Sequence, residues 1–313
     1  MNSSNLDDHR FALPSQSPGA VIADMTLLSV AILFGFVGNV PVCFVLKKRQ
    51  DLRKVPHFLF TSLAVNGIFS SLVHLPSRLA MNTFYYHLDN SENGEQACNV
   101  WAPSNLFCAI VNAVTFSLMA IDRQDCVLRP FNRRMTPNNI IVFIVLSWIG
   151  ALLLSSVIIF YAFFGETVCH QLDPDGFFAN FQEKRGAFVY LVGLINSINI
   201  ISFLIVAITA IRIIKRLRSS PLPDSASLHR RQENKLTWLT YKICGVFFAC
   251  WLPPLVAIGL SQFGGIRNDT ITDVVVITTS TSNFHYVVNP LLFYNDLVKS
   301  RTVPVNNIPR PVD

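Results

Sequence analysis

A stretch of 24 residues without a single charge most constrains how this chain can fold. It runs from Cys98 to Ile121 and is followed directly by Asp122-Arg123-Gln124-Asp125. Cys98 and Arg123 are 25 positions apart, which is about 37 Å along an α-helix. Because the hydrocarbon core of a membrane is about 30 Å thick, such a helix can cross it. We therefore expect a membrane-spanning helix with a cysteine at one end and an acid–arginine pair at the other.

Long apolar runs of this kind occur seven times. They cover approximately residues 21–46, 57–80, 99–121, 138–163, 187–211, 236–262 and 271–294. Each is near or above the about 20 residues that a spanning helix requires, whereas a membrane strand needs only about ten. Only 14% of the 313 residues are charged, against about 25% in soluble domains. The predicted fold class is all-α, a seven-transmembrane helix bundle.

The basic residues predict how this bundle is oriented. Of the 25 Lys and Arg, 20 lie on one side of the runs, at 47–54, 123–134, 212–242 and after 295. By the positive-inside rule that side is cytoplasmic. We expect residues 1–20 to form an extracellular N-terminal segment, residues 21–294 the membrane domain, and residues 295–313 a short cytoplasmic tail.

The loops assigned to the outer side have features of an oxidising compartment. Asn2-Ser3-Ser4 and Asn268-Asp269-Thr270 are glycosylation acceptors, and both lie there. Of the seven cysteines, Cys98 and Cys169 are the two at or beyond the outer ends of the runs. We expect these two to form a disulfide that ties the loop 164–186 to the third run. The alternative is a pair of free thiols.

Short motifs follow one another in order, nearly one in each run. The early runs carry Gly38-Asn39-Val40, Leu63-Ala64-Val65, Asp122-Arg123-Gln124 followed by Pro130, and Trp148. The late runs carry Phe247-Phe248-Ala249-Cys250-Trp251-Leu252-Pro253 and Asn289-Pro290-Leu291-Leu292-Phe293-Tyr294. Each motif is weak alone, but in this order the chain resembles a rhodopsin-like (class A) G-protein-coupled receptor over all seven runs. The motifs identify no receptor subfamily.

The resemblance implies a multi-pass plasma-membrane receptor that binds an extracellular ligand, a peptide or a small molecule. It implies signalling through heterotrimeric G proteins by outward movement of the sixth helix. It also implies no enzymatic activity, no catalytic residue, and no cofactor or metal. The alternative is a nonsignalling or constitutively active protein of the receptor fold with altered coupling.

A switch at the cytoplasmic end of the third helix is part of the same resemblance. Arg123 would bridge to Asp122 and Glu233 in the inactive state, and an activating ligand would break the link to Glu233. A kink at Pro253, where a backbone hydrogen bond is lost, would let the sixth helix swing about Trp251. A simpler alternative is that charges at helix ends merely extend to water. The implied switch and coupling residues are Asp122, Arg123, Glu233, Trp251, Pro253, Asn289 and Pro290.

Gly67 departs from the family pattern. An acidic residue at this position of the second helix helps to hold a sodium ion in the family. Without that carboxylate, a buried cation would have no counter-charge. We therefore expect Asn112 and Asn289 to be bridged by water or to contact each other directly. The alternative is that Ser70 or another polar group rebuilds an ion site.

Two further departures concern the fifth and seventh helices. Phe293 stands at the position of a family tyrosine, with Tyr294 one place later, and no proline occurs from 175 to 220. We expect these changes to alter coupling or basal activity.

The ligand pocket is predicted from polar and aromatic residues near the outer ends of the helices. The candidates are His74, Arg78, Trp101, Asn105, Trp251 and Asn283. Each of them is equally well explained by packing. Asn105 stands where amine receptors have an aspartate, and the absence of a lysine in the seventh run excludes a retinal Schiff base. Acidic residues in the outer loops favour a basic peptide, although solvated loop charge explains them as well.

Other classes of protein fit less well. A transporter or channel needs paired ionisable groups near the membrane midplane, and the runs contain few, with Asp24 and Asp273 near outer ends. A membrane enzyme needs clustered metal ligands, and the seven histidines are scattered. The net charge of +6 follows the topology, so we expect no nucleic-acid partner. The basic stretch 212–218 is expected to contact anionic membrane lipid.

Overall fold

The computed structural model describes residues 17–48, 55–86, 91–129, 132–163, 186–219, 228–263 and 269–298, and regular structure within these ranges is helical throughout. Five single helices are α1 (Pro18–Lys48), α3 (Ser91–Leu128), α4 (Pro137–Phe163), α5 (Gly186–Ser219) and α6 (Leu228–Phe263). Two are composite: α2 (Val55–Phe69, Ser70–His74 and Leu75–Tyr86) and α7 (Asp269–Thr281, Ser282–Phe284, His285–Phe293 and Tyr294–Val298). Asn2, Cys169, Asn268 and the side chain of Glu233 lie outside the described part.

Each helix covers one of the seven apolar runs and extends past it, which confirms the predicted all-α bundle. The first six helices are long and apolar enough to cross a membrane, judged by length and composition. The seventh helix is not among those that meet this criterion in the described part of the chain.

The break in α7 follows from its sequence. Residues 278–283 read Thr-Thr-Ser-Thr-Ser-Asn, and such short polar side chains bond to nearby backbone carbonyls in competition with the helical pattern. Ser282 Oγ donates to the carbonyl of Thr279 at 2.6 Å, and Asn283 Nδ2 donates to the same carbonyl at 3.2 Å. The 3₁₀ turn Ser282–Phe284 therefore separates the two halves of α7.

A π-helical turn interrupts α2 at Ser70–His74, just before Pro76. Proline has no N–H, and its ring collides with the carbonyl four residues earlier. The hydrogen-bond pattern widens here, so that the N–H of Leu75 bonds to the carbonyl of Ser70, five residues back. Three residues of this turn are buried within the bundle: Ser70, Ser71 and His74.

The interior of the bundle combines hydrophobic clusters with buried polar groups, whereas its exterior is apolar. α3 is buried along most of its length and packs against α2, α4 and α5. The outer faces of α4 and α5 expose large apolar side chains such as Leu153, Phe160 and Ile201, as expected of faces that contact lipid. The two ends of the bundle are named below after the α3 residues that lie there, the Cys98 end and the Arg123 end.

Candidate functional site

The Arg123 end contains a buried ion pair between neighbours on α3. Nε of Arg123 donates to Oδ2 of Asp122 at 2.9 Å, and Nη2 donates to the same oxygen. The Arg123 side chain is only 1% exposed. A buried guanidinium is strongly unfavourable without a carboxylate partner. The pairing expected between these two residues is present, whereas the expected link to Glu233 lies outside the described side chains.

Asp125, three residues after Asp122 on α3, stabilises the connection between α3 and α4. Its Oδ2 accepts hydrogen bonds from the backbone N–H groups of Arg134 at 2.6 Å and Met135 at 3.1 Å. Nη1 of Arg129 lies 3.7 Å from the other carboxylate oxygen. The carboxylate thus holds the chain that enters α4. Sequence reasoning noted Asp125 within a charged run and did not assign it this contact, because Arg134 and Met135 carry no distinguishing signal for it.

The Arg123 end of α7 is packed without its family tyrosine. The ring of Phe293 packs in the hydrophobic core against Phe60 on α2, with the two ring centroids 5.5 Å apart. Tyr294 is 56% exposed, so its ring does not replace a tyrosine at position 293. A Cβ added at Gly38 would lie 3.1 Å from the ring of Pro290, which shows how closely α1 approaches α7 at this position.

The middle of the bundle holds a network of amides, a histidine and a tyrosine. Asn39 Nδ2 donates to the carbonyls of Gly35 at 2.7 Å and Tyr286 at 3.0 Å, which joins α1 to α7. Asn66 Nδ2 donates to Oδ1 of Asn112 at 2.8 Å, which joins α2 to α3. In a membrane interior such hydrogen bonds hold helices together.

Asn112 is the branch point of this central network. Its Nδ2 donates to the Tyr286 hydroxyl at 2.9 Å and lies 3.3 Å from Nε2 of His285. Nδ1 of His285 lies 2.7 Å from the carbonyl of Ser282. A carbonyl can only accept, so Nδ1 carries the proton and Nε2 accepts from Asn112.

For Asn112 and Asn289 the sequence predicts a direct contact or a water bridge, and the water bridge stays a prediction. No hydrogen bond joins Asn112 to Asn289 among the described residues, and Oδ1 of Asn289 is buried without a partner. The side chain of Asn112 instead forms its hydrogen bonds with Asn66, His285 and Tyr286. Sequence reasoning did not select these three for a network, although a polar residue inside an apolar run was the available signal. Which polar residues meet depends on the rotation of each helix, which the motifs do not encode.

The sodium site implied by the family does not fit these residues. The buried acids in the described ranges, Asp24, Asp122 and Asp125, lie toward the ends of the bundle rather than at its centre. The amide Nδ2 atoms of Asn39, Asn66 and Asn112 point donors into the network, and a cation repels donors. The centre of the bundle therefore offers a cation no counter-charge.

A second ion pair lies toward the Cys98 end and joins three helices. Nη2 of Arg78 on α2 lies 3.5 Å from Oδ1 of Asp24 on α1, with side chains 8% and 3% exposed. Asn82 Nδ2 donates to Oδ2 of Asp24 at 2.7 Å, and the Ser280 hydroxyl on α7 donates to Oδ1. Arg78 also donates to the carbonyl of Thr279 at 3.1 Å. The two charges were identified separately in the sequence, and their pairing was not predicted.

Arg78 therefore contributes to helix packing as well as being a pocket candidate. It supplies a donor to Thr279 just before the break in α7, where the helix carbonyls lose some of their regular partners. Asn283, another candidate, donates to carbonyls of its own helix, at 3.2 Å to Thr279.

The remaining pocket candidates are distributed around the interior near the Cys98 end. Trp101 and Trp251 both pack against the hydrophobic cluster around Leu106 and Ile195. The indole N–H groups of both tryptophans are buried without a partner in the described structure, as is Nδ1 of His74. Asn105 is half-buried. The structure thus brings the two tryptophans to one cluster and leaves their polar atoms available.

The cysteines differ in their chemical state. Cys98 is fully buried and disulfide-bonded. The five other cysteines of the described helices form no disulfide: Cys43, Cys108, Cys126, Cys244 and Cys250. The predicted partner, Cys169, lies outside the described residues, so that pairing stays a prediction.

Comparison with known proteins is consistent with this architecture. The family described as "7 transmembrane receptor (rhodopsin family)" matches residues 38–293. The fold is similar to the crystal structure of squid rhodopsin, with a TM-score of 0.69 and 16% identity over 92% of this chain and 85% of that one.

Sequence relatives include a neuropeptide receptor and a dopamine receptor. Neuropeptide Y receptor type 2 of Cavia porcellus is 27% identical over 71% of this chain and 58% of its own length. The D(1C) dopamine receptor of Xenopus laevis is 27% identical over 72% of this chain and 53% of its own length. The chain thus spans little more than half of either relative. With the family matched across 38–293, the chain belongs to the rhodopsin family of seven-transmembrane receptors and is a multi-pass plasma-membrane protein rather than an enzyme.

Proposed function

We propose that this receptor binds an extracellular ligand and activates heterotrimeric G proteins when the Arg123 end of α6 moves outward. The observation that carries the proposal is the buried pair of Arg123 and Asp122 at the end of α3. A buried arginine must keep an anionic or strongly polar partner. An exchange of partners at this place therefore couples the position of neighbouring helices to the state of one side chain.

The aromatic contacts of α6 support transmission along the bundle. The ring centroid of Phe247 lies 4.4 Å from that of Phe116 on α3, 5.1 Å from that of His285 on α7 and 6.0 Å from that of Trp251. Pro253 and Pro254 follow within the same helix, and each removes a backbone hydrogen bond. A displacement of Trp251 would thus be transmitted both to the helix around these two prolines and to the hydrophobic core around Phe247.

We place the ligand at the Cys98 end, facing the outside of the cell, because the basic residues concentrate toward the Arg123 end. In the same orientation Asn2 and Asn268 would be glycosylated, and 212–218 would contact anionic lipid. The buried indole N–H groups of Trp101 and Trp251 are suited to a carbonyl acceptor of a ligand.

A peptide fits this pocket better than an amine. Of the two relatives, one is named for a neuropeptide and the other for dopamine. No carboxylate occurs from Cys98 to Ile121 of α3 to pair with an amine, and the buried Asp24 is paired with Arg78.

The test measures nucleotide exchange by a panel of heterotrimeric G proteins with the full chain in lipid nanodiscs, first without ligand and then with a peptide library. Arg123→Gln should abolish exchange by every G protein that responds to the wild type. Arg129→Gln is the matched control, because Arg129 lies on the same helix with its side chain 45% exposed. Glu233→Ala should raise ligand-independent exchange severalfold, since about 1 kcal/mol shifts a two-state population by that much.

Two results would contradict the proposal. One is normal exchange by Arg123→Gln, which would remove Arg123 from coupling. The other is silence of the wild type and of Glu233→Ala with every G protein and every peptide.

The second result would favour a nonsignalling protein of the receptor fold. The observation on its side is the buried Phe293, which has no hydroxyl to offer at the Arg123 end of α7. The missing proline in α5 is consistent with the same reading.

A further inference from the structure

We propose that the ion pair of Lys242 on α6 with Asp296 at the end of α7 holds the receptor in its closed arrangement, in which the Arg123 end of α6 has not moved outward. This ion pair is called the latch below. Nζ of Lys242 donates to Oδ2 of Asp296 at 2.8 Å. The two residues are 54 positions apart in the chain, so the contact joins two separate helices. The inference rests on the proposed function, since it names a contact that regulates the movement of α6.

The position of Lys242 on α6 makes the contact sensitive to that movement. Lys242 precedes Pro253 by eleven residues, which is about 16 Å along the helix. A tilt of about 10° at the proline would displace the Lys242 turn by about 3 Å at that lever length. An ion pair 2.8 Å long would then exceed hydrogen-bond range. The latch is therefore compatible with the closed arrangement and not with the open one.

The other partner is held in place by the fold of α7. Asp296 lies in the π-helical turn Tyr294–Val298, which continues α7 directly after Phe293. Phe293 is anchored in the core against Phe60. Asp296 is thus carried by an element fixed to α2, while Lys242 is carried by the segment that moves.

A neighbouring contact on α6 is weaker. Tyr241, adjacent to Lys242, places its hydroxyl 3.4 Å from Oγ1 of Thr209 on α5, which is long for a hydrogen bond between hydroxyls. The Lys242–Asp296 contact is the shorter and charged one of the two.

Solvent limits how strongly the latch biases the receptor. The side chains of Lys242 and Asp296 are 49% and 28% exposed. Partly exposed ion pairs change an equilibrium by about 1.5- to 5-fold. The latch thus adjusts the fraction of open receptor and does not by itself determine whether the receptor opens.

The test exchanges the two charges. Lys242→Glu and Asp296→Lys, each alone, should raise the ligand-independent nucleotide exchange of the full chain in nanodiscs by about 1.5- to 5-fold. The double variant Lys242→Glu/Asp296→Lys should return to the wild-type rate, because it restores an attractive pair. Lys235→Glu is the matched control, since Lys235 is an exposed lysine on the same helix, and it should leave the rate unchanged.

A second readout does not depend on G proteins. Spin labels on Trp238 of α6 and Leu291 of α7, both exposed, report the separation of the two helices by pulsed electron resonance. In Lys242→Glu the population at longer distance should grow by the same factor as the exchange rate, and in the double variant it should return. If the charge reversals reduce folding, Lys242→Gln and Asp296→Asn remove the attraction without introducing repulsion.

The outcomes separate the latch from the proposed function. Longer label distances without nucleotide exchange by any G protein would support the latch and overturn G-protein signalling. Unchanged distances in every single variant would overturn the latch, whatever the exchange rate. Single variants that respond while the double variant fails to recover would also overturn it, because the effect would then not belong to the pair.

Discussion

A Cβ atom at Gly67 would lie 2.6 Å from Nδ2 of Asn39. That amide of α1 thus fills the space beside α2 where the family resemblance implies an acidic side chain. The same Nδ2 donates to the carbonyl of Tyr286 on α7. The absence of a side chain at Gly67 is therefore coupled to the contact that joins α1 to α7.

We expect Gly67→Ala to destabilise the receptor by about 1–3 kcal/mol, because the added methyl group displaces Asn39 from Tyr286. The measurement is the Tm of the purified full chain in nanodiscs. In an Asn39→Ala background the same substitution should cost much less. Gly150→Ala is the control, since a Cβ there meets nothing within 4 Å. Equal losses with and without the Asn39 side chain would contradict the coupling.

The ion pair of Asp24 and Arg78 predicts a strongly non-additive pair of mutations. Arg78→Met should cost about 3–5 kcal/mol, because it leaves a buried carboxylate without a cation. The double variant Asp24→Asn/Arg78→Met should recover most of that loss, since no unpaired charge remains. Thermal unfolding of the two single variants and the double variant gives the coupling. Additive losses would show that the two charges do not interact.

Sodium should not stabilise this receptor selectively. The central network has no carboxylate to neutralise a cation, and a buried cation without counter-charge is highly unfavourable. We expect the same Tm in sodium chloride and in N-methylglucamine chloride at matched ionic strength. A sodium-selective rise that disappears in Asn112→Ala would establish an ion site at the centre of the bundle.

The predicted disulfide of Cys98 and Cys169 should be needed for the receptor to reach the cell surface. Closing a loop of this length is worth about 3–5 kcal/mol in the chain-entropy model. Cys98→Ala and Cys169→Ala should therefore lower surface expression to the same extent, and the double variant no further. Cys250→Ala, which removes a free thiol, is the control. Mass mapping that found Cys169 as a free thiol would exclude the pairing.

The helical architecture was predictable from local composition. A stretch such as Cys98–Ile121 has no charge for 24 residues, and in a membrane only a helix or a closed barrel satisfies the backbone of such a segment. The number of helices and their order therefore follow from the sequence alone. The contact between Asp122 and Arg123 also follows from the sequence, because these two residues lie on the same helical turn.

The break in α7 was encoded locally but was not predicted. The polar run at 278–283 is visible in the sequence. The seventh run as a whole, 271–294, is nevertheless apolar enough to predict one continuous helix. In the structure, the competition of side chains for backbone carbonyls outweighs this apolar pattern.

The partners of the polar residues were decided by the tertiary structure. Asn112 meets Tyr286 rather than Asn289, Asp24 meets Arg78, and Lys242 meets Asp296. Each pairing depends on how neighbouring helices are rotated and how closely they approach. Those variables are determined by contacts such as that of Asn39 with Gly67, which involve residues distant in sequence. Periodicity identifies which residues lie inside a bundle, and only the packing of all seven helices determines which of them touch.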